Sequence, residues 1–443
     1  MPFQSTLPRA HVSRAGCTGN VHGCFELAAG TYIQGLGMAT KHYSTASHSR
    51  SEFGKPTSLA IVAGLIGVLF AGSTVVTPLY VIYERQFGFS QITLTLIYAA
   101  YVIGNLAALL IFGRISDQIG RRRTALTAMV IAIIGALVFL FAHGIAALYV
   151  GRVLSGLAIG IGAATGTAWL SELIAETDKS RATVVATAAN FAGLGIGALI
   201  AGLLADYAPH PLRMPFIVYL AALLLTAILL AFASETVPRP LDALMRISVR
   251  PRAAVPPAIR AAFVAPAVTG FGAMALVAFF AALVPSVLAN ELHETSHAIA
   301  GAVFLELAAV VAIVIALTRS LSSRTAMLCS LGLMLPSVAL IVAAQFQASV
   351  ALMITATALC GVAVGLGYRG SLQVVNQIAP EDRRGEVVSA YFICGFLGNA
   401  LPVIGIGVIS TLANPRLASL VFAVMIAAFA VIALGFGLKY SDR

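Results

Sequence analysis

From residue 59 onward the chain is a succession of apolar runs, each about 20 residues long and parted from the next by a short polar break. A helix of that length crosses the roughly 30 Å hydrocarbon core of a bilayer. In hydrocarbon no water is present to satisfy a peptide group, so each run must pair its own N–H and C=O groups, which an α-helix does. Twelve such spans are expected, near 59–83, 91–113, 124–143, 146–170, 182–206, 213–233, 263–289, 297–318, 325–344, 349–371, 386–411 and 417–439. The expected fold class is an all-α membrane protein with twelve transmembrane helices. Composition agrees: 59% of residues are hydrophobic and 10% charged, where a soluble domain carries about 25% charged residues.

The net charge is +10, and its distribution is one-sided. If the N-terminus is placed in the cytoplasm, eighteen of the 27 basic residues fall in the inner loops and the C-terminal tail. Only Arg85, Arg213 and Arg416 fall outside. Basic residues accumulate on the cytoplasmic side of a membrane, so both termini are expected there, in a bacterial-type inner membrane. The charge therefore reports topology. No basic face or nucleic-acid-binding motif accompanies it, and no nucleic-acid partner is expected. The cysteines show neither metal spacing nor a disulfide framework.

The chain divides into an N-terminal extension (1–55), a first six-helix bundle (56–233), a basic, proline-rich cytoplasmic linker (234–262) and a second bundle (263–443). The extension is polar and expected to be disordered. Met38 reads as the true start, with 1–37 preceding it. The two bundles repeat one another weakly. SGLAIGIG (155–162) answers CGVAVGLG (360–367), and IAETDKSR (174–181) answers IAPEDRRG (378–385). Parallel six-helix repeats build one large class of transporters, with the substrate site between the halves near mid-membrane.

The densest charge cluster, GRISDQIGRRRT (113–124), lies between spans 2 and 3. Gly113, Arg114, Asp117, Gly120, Arg121 and Arg122 resemble the signature loop of the major facilitator superfamily, with Gln118 replacing the basic residue that follows the aspartate. The resemblance covers the chain from about residue 56. It implies two pseudo-symmetric six-helix bundles and a conformational switch in this loop. It also implies that Asp117 meets the N-terminus of span 11 near Gly385, where a carboxylate faces the positive end of a helix dipole. The arginines are expected to hold the loop against an anionic leaflet. The second half keeps only RSLSSRTA (319–326), without an aspartate.

Ionisable groups inside spans are costly and mark function. Arg152, with Gly156, resembles the family's fourth-helix motif. It could bind an anion, or it could snorkel to the surface. Glu306 lies mid-span in helix 8, where desolvation favours a protonated carboxyl. Arg152 and Glu306 are the proton-coupling candidates. Gly193, Gly197 and Gly202 on span 5 resemble the drug-efflux signature, but its proline is absent, and the same glycines also suit close packing. Cavity candidates are Thr74, Thr77, Tyr101, Asn105, Asn190, Phe279, Tyr391 and Asn399. A wall otherwise of Ala, Gly, Leu and Phe suits a small amphipathic solute. Trp169 reads as an interfacial anchor.

HETSH (293–297) matches the zinc-protease motif. Ser296 is expected to cap helix 8 and leave His293 outside it, so no metal is expected. No catalytic constellation and no Walker A motif occur. The expected function is proton-coupled efflux of a small amphipathic compound or metabolite by alternating access. The alternative is proton-coupled uptake of an organic acid held by Arg152. No cofactor is expected, the partners are the solute and the lipid bilayer, and the chain is expected to be a monomer.

Overall fold

The computed structural model describes residues 53–112, 115–174, 179–237 and 253–439. Among them helices and helical turns are the only regular secondary structure. We number the long helices α1 (Lys55–Thr74), α2 (Gln91–Phe112), α3 (Arg121–Leu140), α4 (Ile145–Leu173), α5 (Lys179–Tyr207) and α6 (Met214–Leu230). They continue with α7 (Arg260–Ala282), α8 (His297–Leu317), α9 (Ser323–Phe346), α10 (Val350–Ile378), α11 (Arg384–Leu412) and α12 (Pro415–Lys439). α1 runs through a 3₁₀ turn at Thr77–Leu79 into a short helix, Tyr80–Phe87, and α7 is followed by Val284–Asn290.

Eleven of these helical stretches are long and apolar enough to cross a membrane, and Met214–Leu230 is a shorter apolar helix. Large apolar side chains such as Ile103, Leu225, Ile228 and Val424 are exposed, as a bilayer-facing surface requires. The molecule is a multi-pass membrane protein.

The end carrying Lys55, Arg121, Arg324, Arg384 and Lys439 is called the basic end. Helices α1–α6 pack among themselves, as do α7–α12, and the two sets meet mainly along α5 with α8 and α2 with α11. Small residues allow these approaches. A Cβ on Gly193 would run into the backbone of Gly67 on α1, and one on Gly156 of α4 would strike the carbonyl of Tyr101 on α2.

Several expectations change at the bundle edges. The sixth span is shorter than 213–233, because Arg213 precedes the helix and residues from 231 turn away. The start of the linker belongs to the first bundle. Ser234 Oγ donates to the carbonyl of Phe53 (2.7 Å), and the Phe53 and Phe232 rings meet edge to face. Trp169 is no interfacial anchor: it is fully buried, and its indole N–H donates to Ser234 O at 3.0 Å. At the other end, residues 260–262 are already helical in α7. Residues 1–52, Met38 among them, and 238–252 lie outside the described residues.

Gly156→Val is expected to lower thermal stability in detergent, since overpacking costs about 1–3 kcal/mol. Gly64→Ala, whose Cβ meets nothing within 4 Å, should leave the melting temperature unchanged or raise it. Equal melting curves for both variants would show that the α2–α4 approach is not tight.

Candidate functional site

α4 places Arg152 two turns from the end opposite the basic one. Across from it, Ser73, Thr77 and Tyr80 follow at helical spacing through the bend in α1. Arg152 is fully buried and does not snorkel. Its Nη1 donates to the Ser73 carbonyl at 2.7 Å, and its Nη2 donates to the Tyr80 hydroxyl. The guanidinium lies 5.3 Å from the Tyr80 ring centroid and 5.7 Å from that of Tyr98. Such aromatic faces contribute about 0.5–2 kcal/mol each to a desolvated cation. No carboxylate pairs with Arg152 among the described residues, and its Nε is buried without a partner, as is Thr77 Oγ1.

Tyr98 continues this cluster across the molecule. The hydroxyls of Tyr98 and Tyr101 both donate to Asn399 Oδ1 at 3.0 Å, and Asn399 Nδ2 reaches Met274 O at 3.5 Å. A polar and aromatic chain thus runs from α4 over α1 and α2 to α11 and α7. Of the residues singled out in the sequence, Arg152, Tyr101 and Asn399 belong to it. Ser73, Tyr80 and Tyr98 were missed. Their signal was available as tyrosines inside apolar runs, since a buried phenol needs a partner.

The other candidates are dispersed. Thr74 donates to Leu194 O at 2.7 Å. Asn105 is buried against Gly160 of α4, and Asn190 Oδ1 is buried without a partner. Tyr391 hydrogen-bonds Ser371 at 2.7 Å within the second bundle. Phe279 is fully buried and stacked on Phe422 of α12 at 5.2 Å. Glu306 is half-buried, on the same face of α8 as the exposed Ala302, Ala309 and Ile313. That face lies between the contacts α8 makes through Leu305 with α5 and Val310 with α10. The structure does not bring Glu306 and Arg152 together.

At the basic end the signature loop is a network. Gly120 has φ +106°, a region that favours glycine, and precedes α3. The Arg121 side chain is buried. It bonds Asp117 and Glu172 at 2.5 Å each and Ser116 at 2.6 Å. Glu235 accepts from the N–H groups of Arg121 and Arg122, both at 3.0 Å, at the positive end of α3. Arg121 therefore faces carboxylates inside the bundle, where lipid anchoring had been expected. Asp117 binds Arg121, and no contact joins it to Gly385, whose surroundings are open. Gln118 Oε1 is buried without a partner, and nothing in the structure explains its place in the motif. Gly113 and Arg114 lie outside the described residues. Arg369, also missed, reaches from α10 to the turn that follows α8. It donates to the carbonyls of Thr318, Arg319 (2.9 Å) and Leu321 (3.0 Å).

HETSH forms no zinc turn. Ser296 Oγ accepts from Ile299 N and caps α8, and His293 precedes the helix with φ +58°. His297 Nδ1 lies 2.7 Å from Asp206 of α5. Among the described residues no three His, Cys, Asp or Glu side chains are grouped to hold a metal.

Asn399→Ala strands two phenolic hydroxyls and is expected to cost about 1–3 kcal/mol of stability. Adding Tyr98→Phe and Tyr101→Phe to it should recover part of that loss. A triple variant less stable than the sum of its parts would refute the shared hydrogen bonds.

Three comparisons bear on what this arrangement belongs to. The family model described as Major Facilitator Superfamily matches residues 62–401 and 267–442. The chain is 26% identical over 174 residues to "Sugar transporter ERD6-like 15" of Arabidopsis thaliana, covering 38% of this chain and 36% of that protein. It is 28% identical over 129 residues to "Arabinose-proton symporter" of Bacillus subtilis (strain 168), covering 29% of this chain and 27% of that one. The matches thus span about a third of these relatives' own length. A solved bacterial homolog of the human lysosomal transporter Spinster, captured inward-facing and unoccupied, superposes with a TM-score of 0.69. The superposition covers 87% of this chain and 98% of that one at 16% identity, and so speaks to the fold. With a family model that spans both bundles and a matching fold, this chain is a transport protein of the major facilitator superfamily.

Proposed function

We propose that the chain is a secondary transporter that works by alternating access. Its solute passes the chain of side chains from Asn399 through Tyr101 and Tyr98 to Arg152 and carries an anionic group, such as the carboxylate of a small organic acid. The observation that carries this reading is Arg152: a fully buried guanidinium with no carboxylate partner among the described residues and an unfilled Nε. A buried cation without a counter-charge is costly. A solute that supplies the charge on arrival gains what the protein leaves unbalanced. The phenols and the Asn399 amide offer hydrogen bonds to hydroxyl or carbonyl groups of the same solute. The basic end is taken as cytoplasmic, in a bacterial-type inner membrane.

Proton coupling through Glu306 is a second reading, favoured by a half-buried carboxyl at mid-depth of α8. The matched arabinose-proton symporter is compatible with coupling to protons. Efflux of an amphipathic compound has less support. Gly193 and Gly197 sit against the α1 backbone and Gly202 against that of His297, so packing accounts for them.

Proteoliposomes screened with radiolabelled organic acids, neutral sugars and amphipathic cations test the solute class. An organic acid is the expected hit, and transport of neutral or cationic solutes alone would refute the reading. Arg152→Gln should raise the apparent KM for the acid by about 10–100-fold, the loss of one charged hydrogen-bonded contact. If Glu306→Gln transports as the native protein does over pH 5–8, Glu306 carries no coupled proton.

A further inference from the structure

At the end opposite the basic one, a carboxylate of the first bundle reaches the second. Asp206, in the last turn of α5, receives four contacts from the first turn of α8. Ser296 Oγ donates at 2.8 Å, His297 N at 3.1 Å and Ala298 N at 2.8 Å. The fourth is His297 Nδ1, 2.7 Å from Oδ1; a carboxylate can only accept, so this nitrogen bears the proton. The free N–H groups of a helix start carry partial positive charge and lack partners within the helix. Here an aspartate of the other bundle supplies the partner.

The helices below it are built for this contact. A Cβ on Gly202 would meet the backbone of His297, and one on Gly301 would meet the backbone of Ala198. Both sites lie toward the same end. At the basic end Asp117 is turned to Arg121, and the start of α11 has no side-chain cap.

We propose that Asp206 is a positioning residue of the transport cycle. It is a latch that holds this end shut by capping α8 across the bundle interface, and it must release Ser296, His297 and Ala298 before this end can open. The HETSH segment thereby gains a role in which Ser296 and His297 are the latch's receivers. Alternating access, which this inference assumes, requires that release once per cycle.

The test reads conformation without solute. Spin labels are placed at Tyr207→Cys and Asn290→Cys, both exposed at this end, in a chain whose native cysteines are replaced. Their distance distribution is measured in nanodiscs. Asp206→Ala should raise the ratio of separated to closed populations by at least about tenfold, the equivalent of one or more charge-assisted hydrogen bonds. Asp206→Glu should restore most of the closed population. Ser296→Ala with His297→Ala should shift the ratio in the same direction while leaving Asp206 in place, so the idea stays testable if one variant folds poorly. Unchanged distributions in Asp206→Ala and in the receiver variant would overturn the latch. Because no solute is added, that outcome would leave the organic-acid reading untouched. A failed solute screen would likewise leave the latch standing.

Discussion

A peptide group left unpaired in hydrocarbon costs several kcal/mol, and this cost organises the whole molecule. It turns every apolar run into a helix and moves specificity to the few polar side chains those helices carry. Where helices cross, the backbones come into contact at glycines such as Gly156 and Gly193. Where polar groups enter the bundle, most find one another. Tyr98, Tyr101 and Asn399 share one carbonyl oxygen, and Arg152 lies over two of the aromatic rings. Exceptions such as Arg152 Nε, Thr77 Oγ1 and Asn190 Oδ1 stand out against a background in which buried polar groups are normally satisfied.

Charge is compensated differently at the two ends. At the basic end Arg121 is surrounded by carboxylates of its own bundle, Asp117 and Glu172, with Glu235 behind it on the α3 N-terminus. That network consolidates one bundle. At the opposite end Asp206 reaches the other bundle. The same chemistry, a carboxylate on a helix start, therefore closes α3 within a bundle and α8 between bundles.

The fold was legible because its strongest signal is one-dimensional: apolar length decides where a helix crosses. The edges were less legible for the same reason. Ser234 and Glu235 looked like linker because they are polar, yet they are held by Trp169 and by the α3 N-terminus, contacts that hydropathy cannot register. The site was half visible. Arg152 announces itself as a charge in a span, and Asn399 and Tyr101 as polar groups at mid-depth. Which face of a helix a side chain occupies depends on packing between helices far apart in sequence. So Glu306 and Arg152 share one expected role, although the structure sets Glu306 on the open side of α8, and the stacking of Phe279 on Phe422 could not be read from the sequence. Asp206 sits at a helix end, where charges are common, and Arg369 sits inside α10; only their partners distinguish them.

Those two residues give α8 an unusual mechanical status. The turn that follows its C-terminus, at Thr318, Arg319 and Leu321, is gripped by Arg369 of its own bundle, and its N-terminal amides are held by Asp206 of the other. The helix has 21 residues and so is about 30 Å long. It is a rod with one end pinned and the other clasped by a neighbour that can leave. A tilt of about 10° at the pinned end sweeps the clasped end through about 5 Å, more than the span of a hydrogen bond. On the proposed cycle, an angular change small enough to leave the Arg369 grip intact empties every contact at Asp206 together, and the bundles part at that end in one step.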